Sequence, residues 1–321
     1  MFTHTGYKLF QRCELQWYLK HIVADGRVKN DSFRREVTIL SKLDTVEAWR
    51  GKIVDEVVSR QLVNTINRKH PIDRAYLLKE ADQLFDSQLE YAAFQKYREP
   101  GRKFTDKDFA ALINYEFGLD YSEEILDSAR NDIHFALNNL LDDTEFITYL
   151  QSATFLASQR SLHYQFSGLP VSSKPDLIVF FADRPPHIID WKVHTYGIHT
   201  YDEQLIAYAV ALYKVATTQP HSYFPANLGT YSIYDYRLTE YQLLHPERIR
   251  RDYEVTKDRL EELNDKMSKG IIDMYMKGCH KKYGEVDPEN FETTYYVENC
   301  HTCSLKTICK SKDYAKIPAS Y

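Results

Sequence analysis

A chain of 321 residues can form one large domain or two ordinary ones, and 43% hydrophobic with 27% charged residues excludes a disordered polymer. A formal net charge of −5 argues against wholesale coating of nucleic acid but is compatible with a local basic groove. Met1 to Cys13 lacks the apolar run of a secretory signal, and apolar stretches such as Leu205 to Tyr213 are too short to cross a bilayer. The expectation is a cytoplasmic (intracellular), soluble protein with no membrane partner, whose five cysteines are thiols or metal ligands.

Tyr7 to Lys20 reads as a helix, with Leu9, Cys13, Trp17 and His21 on one face. Thr45 to Val63 reads as a second, with Val46, Trp49, Ile53, Val57 and Arg60 along one side. From Arg74 to Leu141 two further stripes recur: Leu77, Ala81, Leu84, Leu89 and Phe94, then Ile125, Ala129, Ile133, Ala136 and Leu140. Glu99 to Lys103 breaks the pattern between them.

Near Arg160 the patterning changes. Ser161 to Ser167, a turn at Gly168-Leu169-Pro170, and Val171 to Phe181 read as a β-hairpin. His187 to Val193 reads as a third strand, Tyr201 to Ala216 as a helix and Gly229 to Tyr236 as a fourth strand. Glu247 to Met267 reads as a polar helix with a narrow stripe at Ile249, Tyr253, Leu260, Leu263 and Met267. The sum is an α/β protein. Its expected segments are an N-terminal helix with the first cysteine (1–29), a helical subdomain carrying Gly51 and Asp55 (30–155), a β-β-β-α-β core (156–270) and a cysteine-rich segment (271–321).

Alternation along a strand places Asp190 and Lys192 on one face, and a hairpin can bring Asp176, after Pro175, beside them. Two carboxylates and an ammonium can hold a divalent ion and orient an attacking water, which is the equipment for cleaving a phosphodiester. Hard oxygen donors suit Mg²⁺ or Mn²⁺. Taken alone, Asp-X-Lys is as compatible with a strand-end salt bridge. Gln204 and Tyr208 share a helical face just downstream, where an ordinary helix surface is the bland reading. Upstream, Gly51 lies one helical turn before Asp55 and would let that helix approach the sheet. A solvated acid is the plainer reading of Asp55.

Taken in order, glycine and acid on a helix, Pro-Asp, Asp-X-Lys, then Gln-X-X-X-Tyr, the chain resembles the RecB-like nucleases of the PD-(D/E)XK superfamily. That group includes the nuclease ends of RecB and AddB and the CRISPR-associated exonucleases. The resemblance implies a restriction-endonuclease-like core, a small mixed sheet flanked by helices, with a large helical insertion. It implies metal ligation by Asp55, where the family usually has histidine, by Asp176 and Asp190, and by the Trp191 backbone carbonyl. It also implies a catalytic Lys192 and positioning by Gln204 and Tyr208.

Cys300-X-X-Cys303-X5-Cys309 has metal-ligand spacing, with Cys13 the candidate fourth ligand. Spacing does not separate a zinc site, to which His280 or His301 could contribute, from a [4Fe-4S] cluster. The resemblance implies the cluster, joining the two chain ends, and leaves Cys279 a spare thiol. His194 and His199 lack the four-residue helical spacing of a zinc hydrolase, and no glycine-rich phosphate loop is present. The expected activity is a divalent-metal-dependent DNA nuclease, an exonuclease or one directed to ends or single strands. The alternative is a catalytically silent iron–sulfur DNA-binding module serving a helicase or integrase.

Overall fold

Where helical periodicity gives way to short apolar runs, near residue 154, the chain turns from helices to sheet. A computed structural model gives the fold for residues 2–28, 30–194 and 202–309; His199 and Tyr201 lie outside the described residues. The first helices are α1 (His4–Arg12), α2 (Glu14–Tyr18), α3 (Ser32–Leu40), α4 (Val46–Val57) and α5 (Val63–Asn67). Then come α6 (Arg74–Ala93), α7 (Ile113–Glu116), α8 (Glu123–Asp142) and α9 (Thr144–Gln151). Five strands follow: β1 (Phe155–Ser158), β2 (Leu162–Phe166), β3 (Leu169–Ser173), β4 (Leu177–Phe180) and β5 (His187–Lys192). The chain continues through α10 (Asp202–Thr218), β6 (Arg237–Gln242), β7 (Arg250–Tyr253), α11 (Lys257–Met276) and α12 (Glu298–His301).

Two compact units form. The first comprises Met1–His4, Arg50–Gln83 and Asp127–Ser268, and the second Thr5–Trp49, Leu84–Leu126 and Lys269–Tyr321. The helical stretch 30–155 therefore contributes to both.

The first unit holds a five-stranded sheet in the order β1-β4-β5-β6-β7. Its neighbours are antiparallel except β5 and β6, which are parallel. All of β4 and all of β5 but Lys192 are buried, which is why Leu177–Phe180 and His187–Ile189 read as nearly unbroken apolar runs. A parallel pair needs a crossover connection, and α10 supplies it, packing on β2, β3, β5 and β6. β2 and β3 form a separate hairpin closed by Ser167 and Gly168, both at positive φ (48° and 76°), as a type I′ turn requires. Phe2 adds a bridge to β3, donating to Pro170 O at 3.0 Å and accepting from Ser172 N at 2.9 Å.

Several expected boundaries change. Val171 to Phe181 is two strands, because Pro175 has no N–H for a ladder and the chain leaves the hairpin at Lys174 to enter the large sheet as β4. Gly229 to Tyr236 is not a strand but two 3₁₀ turns, Leu228–Thr230 and Ile233–Asp235, the second held by a Ser232 capping box. The strand begins at Arg237. Within Glu247 to Met267, Arg250–Tyr253 is the sheet's edge strand and the helix starts only at Lys257. On the predicted helical stripes, Phe94 and Ile125 are exposed, whereas Phe85 and Tyr91 are buried. Among the described residues no helix is long and apolar enough to cross a membrane.

The second unit packs around aromatic rings. Phe291 stacks on Tyr18 at 4.6 Å and lies 6.4 Å from Trp17, which meets Phe10 edge-on at 5.9 Å. α11 comes close to α1 at Gly270, where an added Cβ would lie 2.8 Å from the Tyr7 ring. Arg98 binds both Glu36 and Glu116.

Candidate active site

Strand register builds a row of polar residues across the sheet of the first unit. The β1–β4 ladder ends at Ser158 opposite Leu177, so Gln159 lies opposite Asp176, and its N–H donates to Asp176 O at 3.0 Å. The β4–β5 ladder ends at Leu177 opposite Ile189, so Asp176 lies opposite Asp190. In the parallel pair Asp190 faces Glu240. Gln159, Asp176, Asp190 and Glu240 thus occupy one line over four strands, with Lys192 on the Asp190 face two residues on.

Helices add the rest. α4 brings Asp55 to the row, where Gln159 Nε2 donates to Asp55 Oδ1 at 2.8 Å and to Asp176 Oδ1 at 3.0 Å. The Trp191 N–H donates to Asp176 Oδ2 at 3.0 Å. From α10, Gln204 Nε2 donates to Tyr208 OH at 2.5 Å and reaches Asp190 Oδ1 at 3.4 Å. Lys192 Nζ is ion-paired with Asp190 Oδ2. Arg50, buried on α4, pairs with Asp132 and donates to Val193 O at 3.3 Å, beside the end of β5. Glu240 is fully buried and accepts from Tyr253 OH at 3.1 Å and from Gln242.

The structure therefore gathers Asp55, Asp176, Asp190, Trp191, Lys192, Gln204 and Tyr208 at one end of the sheet. The expected reason for Gly51 does not hold, because an added Cβ would meet only Val193 Cβ, at an ordinary 3.8 Å. Sequence reasoning missed Gln159 and Glu240. Neither belongs to a motif, and Gln159 is placed by β1, a four-residue strand that follows a helix directly.

Burial pushes the Asp55 carboxyl up to about 6, against the Gln159 hydrogen bond and the Lys174 charge, with Glu56 and Asp190 raising it further. Burial raises Asp176 well above the usual range, and the charges of Asp190 and Asp55 add to it. Asp190 is raised by burial despite the pull of Lys192. Burial and the Asp190 and Asp176 charges also raise Tyr208, so its hydroxyl stays protonated. Carboxylates crowded out of water are the setting that a divalent cation relieves, and their hard oxygens fit Mg²⁺ or Mn²⁺. Among the described residues no group of three or more His, Cys, Asp or Glu stands ready to hold a metal ion. The Gln159 amide stands between Asp55 and Asp176, and the Lys192 ammonium covers Asp190 Oδ2.

In the second unit Cys13, Cys300, Cys303 and Cys309 are half-buried and line one pocket. Cys13 sits at the N-terminus of α2, where its sulfur accepts from Gln16 N at 3.4 Å. Burial pushes the Cys303 thiol up to about 11, with Cys13 and Cys309 nearby adding to the rise. Leu15, Leu19 and Leu305 line the same pocket, so the four sulfurs share a largely apolar surround. Cys279, His280 and His301 are not among its lining residues.

A mixed five-stranded sheet flanked by helices, with acids and a lysine at one end, is consistent with a restriction-endonuclease-like fold. The family model of the PD-(D/E)XK nuclease superfamily matches residues 1–310, and the chain belongs to that superfamily. No curated protein matches it. Membership points to a nuclease acting on the phosphodiester bonds of DNA, and nucleases of this superfamily typically use Mg²⁺ or Mn²⁺.

Proposed function

We propose that the protein is a divalent-metal-dependent deoxyribonuclease directed to single strands or free ends. The observation that supports the nuclease reading is the row Asp176–Asp190 with Asp55 and Lys192 beside it, while the preference for single strands or ends rests on the family resemblance alone. Asp55, Asp176, Asp190 and the Trp191 carbonyl would hold Mg²⁺ or Mn²⁺. When bound, the ion supplies a more acidic water and a counter-charge for the phosphate. Lys192, held beside Asp190, would steady charge developing on phosphorus and orient the water. Gln204 fixes Asp190 and Tyr208, and the protonated Tyr208 hydroxyl is a donor for substrate oxygen.

Labelled single-stranded, blunt and circular DNA incubated with Mn²⁺, with Mg²⁺ or with EDTA tests the proposal. Metal-dependent loss of linear single strands, with circles spared by an end-directed enzyme, is the expected result. DNA bound but never cut under any of these conditions would favour the silent binding module instead.

For the cysteine pocket we propose a metal centre tying Cys13 to Cys300, Cys303 and Cys309. The resemblance to the iron–sulfur nucleases supports a [4Fe-4S] cluster. The same four-thiol spacing also suits the alternative, a single zinc ion held by four thiolates. Iron, sulfide and zinc analysis of protein purified without oxygen separates the two.

A further inference from the structure

Gln159 touches two of the proposed metal ligands at once. Its Nε2 lies 2.8 Å from Asp55 Oδ1 and 3.0 Å from Asp176 Oδ1, so the two hydrogens of one amide serve two carboxylates. The residue is held for this task. Its N–H is bonded to Asp176 O, and its backbone adopts φ 52°, a left-handed conformation that residues other than glycine seldom take. A point within reach of two crowded carboxylates is where a bridging cation would find its oxygens. The amide occupies that point with only a partial positive charge.

We propose that Gln159 is a positioning residue that keeps the place of the cation. In the metal-free protein it holds Asp55 and Asp176 facing each other, and a divalent ion displaces it from at least one of them. This rests on the reading of the site as a metal centre. A placeholder weakens cation binding, because its hydrogen bonds must be given up, while it stabilises the empty site. A merely structural glutamine would do only the second, and one that supports the loaded site would strengthen binding.

The test uses the full-length protein, calorimetric titration with Mn²⁺ at one neutral pH, and melting in EDTA and in Mn²⁺. Gln159→Ala should bind Mn²⁺ about tenfold more tightly, the factor that one hydrogen bond to a charged group is worth. It should melt lower than wild type in EDTA and recover the difference in Mn²⁺. Gln159→Met, similar in length and without an amide donor, should show the same two shifts and serves if the alanine variant does not fold. Mn²⁺ affinity that is unchanged or weakened in the folded variant overturns the proposal. Wild-type protein that binds no Mn²⁺ overturns the metal-site reading itself. Binding that is lost in Asp190→Ala but unchanged in Gln159→Ala overturns the role of Gln159 alone.

Discussion

Lys192 is ion-paired with Asp190 two residues earlier on β5, and their side chains are only 11% and 2% exposed. Removing either takes an ion-pair contact from a buried charge. The two variants should nevertheless differ. Asp190→Ala should lose Mn²⁺ binding, whereas Lys192→Ala should keep it, and each should lose cleavage by about 100-fold or more. Single-turnover rates and a Mn²⁺ titration distinguish them; cleavage at the wild-type rate in either variant removes that residue from the chemistry.

In the proposed site Asp55 takes the position at which the RecB-like nucleases that the sequence resembles usually carry histidine. A carboxylate is a harder ligand than imidazole, so Asp55→His should retain part of the cleavage with its preference moved from Mg²⁺ toward Mn²⁺. Asp55→Ala should require more of either ion. An unchanged metal requirement in Asp55→Ala would leave only Asp176 and Asp190 as side-chain ligands.

Four of the five cysteines line one pocket and Cys279 does not. Cys303→Ser should strip the bound metal and lower the melting temperature, while Cys279→Ser should keep full metal content. Equal metal loss in both variants, measured by elemental analysis, would count against the four-thiol centre.

His187 is buried with its Nδ1 2.8 Å from the Tyr149 hydroxyl and its Nε2 2.6 Å from that of Thr239. Burial and the Arg237 charge depress its pKa from 6.5 to about 3. Between these values the unfolded chain takes up a proton that the folded protein refuses, so this residue makes stability fall as pH falls below about 6.5. Its contribution to the slope is at most about 1.4 kcal/mol per pH unit. Urea unfolding in EDTA should show a shallower acid decline in His187→Gln by up to that amount. Parallel declines would mean that the imidazole does not titrate this way.

A Cβ at Gly51 would make an ordinary 3.8 Å contact with Val193, whereas one at Gly270 would lie 2.8 Å from the Tyr7 ring. Gly51→Ala should fold and gain roughly 0.5–1 kcal/mol from helix propensity. Gly270→Ala must push the Tyr7 ring aside and should lose stability. Denaturant midpoints of the two variants moving in the same direction would contradict this.

What the sequence made legible follows physical signals of different strength. Asp190 and Lys192 were readable because strand alternation forces them to one face and because β5 is apolar enough to announce itself. The Pro175 break was visible as a residue, but its effect, sending the chain from one sheet to another, depends on tertiary pairing. β7 was hidden because Arg250–Tyr253 is a polar edge strand, three of its four residues exposed, and carries no burial pattern. The 228–235 segment imitated a strand because tyrosines and isoleucine alternate there with small polar residues. Gln159 had no local signal at all, since its meaning comes from residues 104 and 17 positions away.

The parallel pairing of β5 with β6 decides where the molecule can be altered. The chain leaves β5 at Lys192, traverses the sheet in α10, whose 17 residues span about 25 Å, and re-enters at Arg237 opposite His187. The turn segment 219–232 therefore lies at the end of the sheet remote from the carboxylates, stitched there by Asn227 donating to Ala182 O. Lengthening, circular permutation or grafting of another module at that edge leaves every proposed ligand in register, whereas a single residue inserted in α10 between Gln204 and Tyr208 breaks the four-residue spacing that puts them on one face. The same topology that concentrates chemistry at one edge leaves the opposite edge free to diversify.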